Sequence, residues 1–399
     1  MITDADVRAA AERIAGRVRK TPCAPAPVLS EMVGTHVVCK QEHLQAAGSF
    51  KERGACNRLL TLSQEQRSRG VVAASAGNHA LGLSFHGQRL GVKVTVVMPR
   101  LAPLVKVVRC RALGAEVVLW GDSYADCEGH ALELAARDGL TFVHGFDDPD
   151  VIAGQGTLAL ELLEQAPEVD TVMVPVGGGG LLAGLVAALR AQAPGVQLIG
   201  VEPEHAPTLT RALASGRVAR VETEPTLADG LQVAQLGPRC FELIQGNIER
   251  VELVSEAAIA AAIVRLMESE KTVVEGAGAV GLAALLQHPE RYAGRNVALL
   301  LSGGNIDLST ISRIIERGLA AQGRLCRLTV ELQDHPGTLA QLTKLVARTG
   351  ANVQQIDHDR NFGPADVSLV RVALVLETRD REHIREVEAA LDAAGIRWS

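Results

Sequence analysis

A lysine with the neighbours that covalent catalysis needs lies in the first part of the chain. Residues 47–55 read Ala-Gly-Ser-Phe-Lys-Glu-Arg-Gly-Ala, so Lys51 follows an aromatic residue and lies between glycines. Such an amine forms a Schiff base when its charge is easily lost and its position is fixed. Alone, the segment is more typical of a solvated lysine on a helix, because lysines are seldom fully buried. Three further segments decide between these interpretations.

Four consecutive glycines, Gly177–Gly180, lie between a predicted strand and a predicted helix. Because glycine lacks a Cβ atom, a phosphate could approach the backbone N–H groups at the start of that helix. The same residues followed by Ala183, with Glu202 about 20 residues further on, also fit a loose dinucleotide-binding fingerprint. A tight turn packed against a neighbour is the third interpretation, and this motif alone supports all three about equally.

Two polar segments complete the set of candidate residues. Ser75-Ala76-Gly77-Asn78-His79 follows a predicted strand, and Ser302-Gly303-Gly304-Asn305 follows an apolar run at 297–301. Open α/β sheets bind ligands at the carboxyl ends of parallel strands, where we expect such segments to lie. Ser and Asn are also preferred at helix N-caps, and Ser-Gly-Gly is equally typical of a turn after a strand.

In order and spacing, these four segments resemble those of the serine/threonine dehydratases, a branch of the fold-type II pyridoxal phosphate enzymes. The resemblance is specifically to the threonine ammonia-lyases with a C-terminal ACT domain, and it covers nearly the whole chain. It implies an α/β catalytic domain over residues 1–322, similar to the tryptophan synthase β subunit, with two parallel lobes. The smaller lobe would cover about residues 53–155. Alternating strand-like and helix-like segments also predict parallel sheets covered by helices.

The resemblance implies a role for each motif in binding pyridoxal 5′-phosphate. Lys51 would hold the cofactor covalently and then remove the α-proton of the substrate. Phe50 would pack beneath the ring, and Glu275 would lie near it, although the family usually has proline where Gly276 follows. The phosphate would be bound by the loop formed by Gly177, Gly178, Gly179, Gly180 and Leu181.

The substrate carboxylate, by the same resemblance, would be bound by Ser75, Gly77 and Asn78, and Asn78 would also contact the 3-hydroxyl of the pyridine ring. Ser302 would face the ring nitrogen. A neutral hydroxyl at that place leaves the nitrogen largely unprotonated and weakens the cofactor as an electron sink. This arrangement favours β-elimination over reactions that need a long-lived carbanion. His79 is given no catalytic role.

The function implied is the deamination of L-threonine to 2-oxobutanoate, with L-serine giving pyruvate as a side activity. One alternative is an ammonia-lyase for another β-hydroxy amino acid, such as serine or 3-hydroxyaspartate. A second is an amino-acid sensor without catalysis. A third, a nicotinamide-dependent oxidoreductase, depends only on the glycine fingerprint.

Some residues differ from the pattern of the family. Ala47 replaces a more usual threonine. Ala76 stands where related racemases have a serine that moves a proton, so racemisation is disfavoured. Metal-dependent relatives have an acidic ligand where Thr208 stands, after Glu202 and Glu204, and a hard cation prefers carboxylates. We therefore predict no metal.

The last 75 residues, 325–399, are predicted to form a separate unit. Their hydrophobic pattern predicts strands at 325–332, 352–357, 370–376 and 396–398, and helices at 338–349 and 380–394. That order is βαββαβ, the ferredoxin-like arrangement. The residues Asp334, His335, Pro336, Gly337, Thr338 and Leu339 resemble the ACT signature, which implies an amino-acid effector there. A plain turn is the alternative.

Composition limits the partners of this chain. The formal charge of −6 without a basic tract argues against nucleic acid. Seven cysteines without a Cys-x-x-Cys spacing support neither a disulfide framework nor a zinc ribbon, which fits a reducing cytoplasm. No signal peptide and no long apolar segment are recognised, so no membrane is expected. We expect a cytoplasmic homodimer or homotetramer that binds an amino-acid substrate and an amino-acid effector.

Overall fold

A computed structural model describes residues 1–361 and 366–399 of the chain. These residues divide into two compact units, Met1–Asp307 and Leu308–Ser399. The division lies earlier in the chain than the predicted boundary at 322–325. The reason is that the helix Leu308–Ala321 contacts the first strand of the C-terminal unit.

The N-terminal unit alternates strands and helices. Its strands are β1 (Cys23–Pro25), β2 (His36–Lys40), β3 (Val71–Ala74), β4 (Val94–Met98), β5 (Glu116–Leu119), β6 (Thr141–Phe142), β7 (Thr171–Pro175), β8 (Gln197–Pro203), β9 (Arg250–Val254) and β10 (Asn296–Leu300). Its α-helices are α1 (Asp4–Ile14), α2 (Pro27–Val33), α3 (Lys51–Leu60), α4 (Gln64–Arg69), α5 (Asn78–Leu90), α6 (Leu104–Ala112), α7 (Tyr124–Asp138), α8 (Pro149–Gln165), α9 (Gly180–Gln192), α10 (Thr208–Ser215), α11 (Pro238–Ile244), α12 (Glu256–Ser269) and α13 (Gly276–Gln287). Short 3-10 helices lie at Glu42–Leu44, Asp229–Leu231 and Pro289–Tyr292.

The strands of this unit form two sheets. The larger sheet has the order β1-β2-β10-β7-β8-β9, in which β1 is antiparallel to β2 and the other neighbours are parallel. The smaller sheet has the order β5-β4-β3-β6 and is parallel. All residues of β3 and β7 are buried, as expected for parallel strands with both faces covered by helices. The predicted parallel α/β architecture is confirmed.

A buried group of charged residues fixes the position of helix α3, which begins at Lys51. The Arg53 guanidinium lies 2.7 Å from Glu42 and 2.7 Å from Glu161 of helix α8. Lys40 of strand β2 donates a hydrogen bond of 2.5 Å to the same Glu161. Buried charges need partners of this kind, since an unpaired one is strongly destabilising. Two residues from Lys51, the helix is therefore tied to β2 and α8.

The C-terminal unit begins with α14 (Leu308–Ala321) and continues with β11 (Leu325–Gln333), α15 (Thr338–Thr349), β12 (Asn352–Asp359), β13 (Leu369–Glu377), α16 (Arg381–Ala393) and β14 (Arg397–Trp398). Its sheet has the antiparallel order β12-β13-β11-β14. Alternate residues of β11 and β13 are buried against the two helices that follow β11 and β13. The predicted βαββαβ order is confirmed. Within the described residues, none of the helices combines the length and the apolar character needed to cross a membrane.

Candidate active site

The predicted site residues of the N-terminal unit meet at one cavity of about 310 Å³. Residues that follow β3 of the smaller sheet and β7 and β10 of the larger sheet line it. The lining includes Phe50, Lys51, Ser75, Gly77, Asn78, Gly177, Gly178, Gly179, Gly180, Leu181, Glu275 and Ser302. Segments separated by up to about 250 residues in the sequence are thus brought together at strand ends, where α/β sheets bind ligands.

Lys51 is the first residue of helix α3, and its side chain extends into this cavity. The Nζ atom donates a hydrogen bond of 2.5 Å to the carbonyl oxygen of Gly145. It lies 5.4 Å from the ring centroid of Phe50 and 6.0 Å from that of Phe146. Burial lowers the pKa of the Lys51 amine to about 8, because desolvation disfavours the charged form. A larger share of neutral, nucleophilic amine is therefore present near neutral pH than for a solvated lysine.

The glycine run forms a close turn between β7 and α9. A Cβ atom on Gly178 would lie 2.3 Å from the ring of Phe146, and one on Gly180 would lie 2.8 Å from the Phe146 carbonyl oxygen. Gly179 has a φ of 92°, a conformation that favours glycine. Helix α9 begins at Gly180, and the N–H groups of a first helical turn have no intrahelical acceptor. The turn is thus both tightly packed and suited to binding a phosphate.

The segment after β3 combines a helix start with open space. The Ser75 hydroxyl accepts hydrogen bonds from the N–H groups of Gly77 at 3.2 Å and Ala80 at 3.4 Å. Helix α5 begins at Asn78, and its N-cap residue is Gly77, which makes no side-chain capping bond. Neither Ser75 nor Asn78 is therefore the N-cap residue that the capping interpretation expected, although the Ser75 hydroxyl still bonds to the first turn of the helix. A Cβ atom on Gly77 would meet no atom within 4 Å, which leaves room beside this backbone for a small anion.

Glu275 and Asn78 form a polar pair at the other wall of the cavity. The Asn78 side-chain amide donates a hydrogen bond of 2.6 Å to Glu275 Oε1. Burial raises the pKa of the Glu275 carboxyl group to about 7, and the nearby Asp229 contributes to the rise. Ser302 is 2% exposed, and its carbonyl oxygen accepts a 3.0 Å hydrogen bond from the Phe50 N–H. The lysine segment is thereby attached to the end of β10.

Sequence reasoning missed three residues of this site. Gly145 and Phe146 lie between β6 and α8, and they contact Lys51 and the glycine turn, respectively. Nothing in their local sequence indicates a role. Asn305 donates its backbone N–H to Glu275 Oε2 at 3.1 Å. It ends the segment Ser302-Gly303-Gly304-Asn305, so a signal was present for that residue.

The dinucleotide fingerprint would assign Glu202 to bind a ribose, but its carboxylate already accepts hydrogen bonds from other residues of the protein. Its carboxylate accepts hydrogen bonds from the N–H groups of Leu209 at 2.6 Å and Thr210 at 3.0 Å. The hydroxyls of Thr208 and Thr210 donate to it as well. These donors belong to the first turn of α10, where a negative charge is stabilising. Across the part of the chain that the structure describes, no group of three or more His, Cys, Asp or Glu side chains is arranged to hold a metal.

The motif of the C-terminal unit, Asp334 to Leu339, lies between β11 and α15. Gly337 has a φ of 95°, and the Thr338 hydroxyl donates to the His335 carbonyl oxygen at 3.1 Å. Asp334 forms an ion pair of 3.0 Å with Arg360. A cavity of about 520 Å³ adjoins the motif, and Thr338 and Ile396 are among its lining residues. The motif thus forms a turn, and its residue Thr338 lies at the wall of this cavity.

Comparison with known proteins agrees with this geometry. The model of the family described as pyridoxal-phosphate dependent enzyme matches residues 14–303. The L-threonine ammonia-lyase of Thermotoga maritima is 45% identical over 395 residues, covering 99% of this chain and 98% of that protein. The chain therefore belongs to the pyridoxal-phosphate dependent enzyme family.

Solved structures of similar proteins also support this family membership. The processed form of threonine deaminase isoform 2 from Solanum lycopersicum is 37% identical with a TM-score of 0.74, and the match covers 78% of this chain and 86% of that one. A serine racemase from Dictyostelium discoideum is 36% identical with a TM-score of 0.73, over 77% of this chain and 99% of that one. The fold of the N-terminal unit is thus shared by enzymes with different reactions.

The residues of the cavity fit the cofactor of this family. Pyridoxal phosphate carries an aldehyde, an aromatic ring and a phosphate dianion. The desolvated Lys51 amine suits the aldehyde, and the ring of Phe50 offers an apolar surface. The free N–H groups at the start of α9 suit the phosphate. The donors and the nucleophile that the cofactor needs are therefore present in one cavity.

The raised pKa of Glu275 predicts a pH dependence of stability in the cofactor-free protein. Between pH 4.5 and about 7 the Glu275 carboxyl group is protonated in the folded state but ionised in the unfolded state. The free energy of unfolding should therefore fall as the pH rises through that range. Glu275→Gln removes the titration. Its melting temperature, relative to the parent protein, should rise between about pH 5 and about pH 8, by the equivalent of at most about 3 kcal/mol.

Thermal unfolding across this pH range measures the difference. Glu116→Gln, at an exposed position of β5, is the matched control and should show a constant difference from the parent. A difference for Glu275→Gln that does not change with pH would contradict the raised pKa.

Proposed function

We propose that the chain catalyses the β-elimination and deamination of L-threonine to 2-oxobutanoate and ammonia. L-serine, which gives pyruvate, would be a slower substrate. The observation that carries the proposal is the desolvated Lys51 amine, which lies in one cavity with the glycine turn and the Ser75–Asn78 segment. The names of the relatives, L-threonine ammonia-lyase and threonine deaminase, support the choice of substrate.

The proposed roles follow from the contacts of each side chain. Pyridoxal phosphate, when bound, supplies an electron sink for the pair of electrons left on Cα. The N–H groups of the glycine turn bind its phosphate, and the backbone beside Gly77 binds the substrate carboxylate. The Lys51 amine accepts the α-proton at Nζ, because its lowered pKa leaves it neutral in a useful fraction of molecules. The Gly145 carbonyl oxygen accepts a hydrogen bond from that amine, which leaves the lone pair of the Lys51 nitrogen available.

The overall reaction balances without an oxidant. Loss of the α-proton and of the β-hydroxyl removes one water from threonine and leaves an enamine. After release, the enamine tautomerises to an imine, and one water hydrolyses the imine to 2-oxobutanoate and ammonia. The buried Ser302 hydroxyl is proposed to face the ring nitrogen as a neutral partner, which suits rapid loss of the β-substituent.

Substrate choice among β-hydroxy amino acids is the finer part of the proposal. Threonine and serine differ by one methyl group, and a pocket distinguishes such a pair by only about 1–3 kcal/mol. Serine or 3-hydroxyaspartate as the main substrate is therefore the alternative. Rates of 2-oxoacid release from a panel of these amino acids distinguish the alternatives.

Racemisation and a purely sensory role have less support. A racemase needs an acid and base on the face opposite the lysine, and Ala76 offers only a methyl group in the cavity lining. A sensor without catalysis would not need a desolvated lysine beside a phosphate-binding turn, and this chain keeps both. Catalysis of β-elimination accounts for both Lys51 and Ala76, which the racemase and the sensor alternatives do not.

We further propose that the C-terminal unit is an ACT domain that binds a branched-chain or related amino acid. Its βαββαβ order and the turn at Gly337 beside a cavity of about 520 Å³ support this assignment. Such an effector changes activity only if it binds two states of the protein with different affinity. A homodimer or homotetramer would provide those states.

Lys51→Ala tests the catalytic proposal. Turnover of L-threonine should fall by at least about 10³-fold, because both the covalent link to the cofactor and the base are lost. The visible absorbance of the lysine-bound cofactor should disappear with it. Release of 2-oxobutanoate and an absorbance spectrum are the two measurements.

Lys93→Ala, at an exposed position, is the control and should behave as the parent protein. Threonine turnover at the parental rate by Lys51→Ala would show that another group performs the chemistry.

Two glycines at the ends of helix α15 give a matched test of the effector proposal. Gly337 and Gly350 both have positive φ angles, 95° and 85°, and open space where a Cβ atom would lie. Alanine therefore introduces similar backbone strain, about 1–2 kcal/mol, at each end. With L-isoleucine or L-valine as effector, Gly337→Ala should shift the half-maximal concentration several-fold, whereas Gly350→Ala should not.

The effector is titrated against the rate of threonine deamination in the full-length chain. Equal shifts in the two variants, or a parent protein whose rate responds to neither amino acid, would contradict the assignment of the Gly337 turn.

A further inference from the structure

A continuous chain of side-chain hydrogen bonds runs from the surface of α6 to the buried Glu275. The Arg109 guanidinium donates to Asn305 Oδ1 at 2.8 Å, and Asn305 Nδ2 donates to Asn78 Oδ1 at 2.8 Å. Asn78 Nδ2 then donates to Glu275 Oε1 at 2.6 Å. Every bond in this chain has the same direction, so each amide receives at its oxygen and donates at its nitrogen.

The orientation of the Asn305 amide is fixed from two sides. Arginine has only donors, so the atom that faces Arg109 must be the amide oxygen. A backbone carbonyl only accepts, so the atom that lies 2.9 Å from the Ala47 carbonyl oxygen must be the nitrogen. Both neighbours require the same orientation. An asparagine amide, which is often free to flip, therefore has one favoured state here.

The surrounding backbone is built around this side chain. Gly48 has a φ of 81°, and a Cβ atom there would lie 2.5 Å from Asn305 Oδ1. The Asn305 N–H also donates to Glu275 Oε2. Asn305 thus contacts both members of the Asn78–Glu275 pair, and it has the space to do so only because residue 48 is glycine.

The orientation of the Asn305 amide affects the cavity through Asn78. Because Asn78 Oδ1 accepts from Asn305, its Nδ2 group faces Glu275, and one of the two Nδ2 protons remains available to a ligand. If the amide were reversed, Asn78 would offer an acceptor instead. The orientation of the Asn78 amide in the cavity is therefore set jointly by Glu275, which lines the cavity, and by Asn305, which is not among the lining residues.

We propose that Asn305, oriented by Arg109, is a positioning residue. It makes Asn78 a hydrogen-bond donor to the oxygen of the 3-hydroxyl group on the pyridine ring of the bound cofactor. This inference depends on the proposed function only through the role given there to Asn78. Neither Asn305 nor Arg109 needs to touch the cofactor. Their effect is to set which atom of Asn78 does so.

Asn305→Asp is the sharpest test, because it keeps the shape of the side chain and removes its donors. A carboxylate at position 305 can only accept, so Asn78 should turn its Nδ2 group towards it and present Oδ1 to the cavity. We expect the dissociation constant of pyridoxal phosphate to rise at least about tenfold, which corresponds to the loss of one hydrogen bond to a charged oxygen. The visible absorbance maximum of the bound cofactor should also shift.

Two more variants separate this role from general damage to the fold. Arg109→Ala leaves the Asn305 donors in place and removes only the guanidinium that orients them. It should therefore change the absorbance and the cofactor affinity in the same direction as Asn305→Asp, but by a smaller amount. Arg109→Lys, which retains a donor, should restore part of the parental behaviour. Asn296→Asp, at the opposite end of β10 from Ser302, is the matched control and should leave the absorbance unchanged.

Cofactor titration and absorbance spectra, read before any activity assay, decide the inference. Parental affinity and absorbance in Asn305→Asp would overturn it. If that variant does not fold, Arg109→Ala carries the test, and parental values there would overturn the inference equally. Failure of the parent protein to deaminate threonine would instead contradict the proposed function and leave this comparison intact.

Discussion

The Lys51 amine, partly shielded from water in the cavity and hydrogen-bonded to a neutral carbonyl, is the constraint on which the site depends. Desolvation lowers its pKa to about 8, and among the residues that the structure describes no carboxylate forms an ion pair with it that would restore the charge. The segment that carries this amine is held by contacts on both sides of Lys51. Helix α3 is tied to β2 and α8 through the buried charges around Arg53, and the Phe50 N–H is bonded to the end of β10.

The same segments that hold the lysine also shape the place for an anion. The loop before α8 supplies the carbonyl at Gly145 and the ring of Phe146, which packs so closely on Gly178 that no side chain fits there. The packing requires glycine because the backbone of another segment approaches closely, and the proposed phosphate binding would require glycine for the same reason. The tight turn that one interpretation of the glycine run expected is present, and Glu202, whose carboxylate is already bonded to α10, gives no support to the dinucleotide interpretation. Phosphate binding by the run stays a prediction.

Much of the fold and part of the site could be predicted from the sequence. Alternation of apolar strands with helices is a local pattern, so the parallel sheets and the βαββαβ order follow from it. Lys51, Ser75 and Ser302 could be found because each stands in a short motif next to a strand or helix end. Gly145 and the orienting role of Arg109 could not, because both depend on contacts between segments far apart in the chain. The unit boundary at Asp307 was missed for the same reason, since only packing against β11 assigns α14 to the second unit.

Two lysines line the cavity, and this makes a direct test of the central claim possible. Lys106 also lines it and forms an ion pair of 2.7 Å with Asp229, whereas the Lys51 amine donates to the carbonyl oxygen of Gly145. Reduction of the cofactor-loaded protein with borohydride, followed by digestion and mass spectrometry, identifies the lysine that bears the cofactor. The desolvation account predicts a pyridoxyl group on Lys51 in nearly every molecule. A pyridoxyl group on Lys106, or on neither lysine, would contradict it.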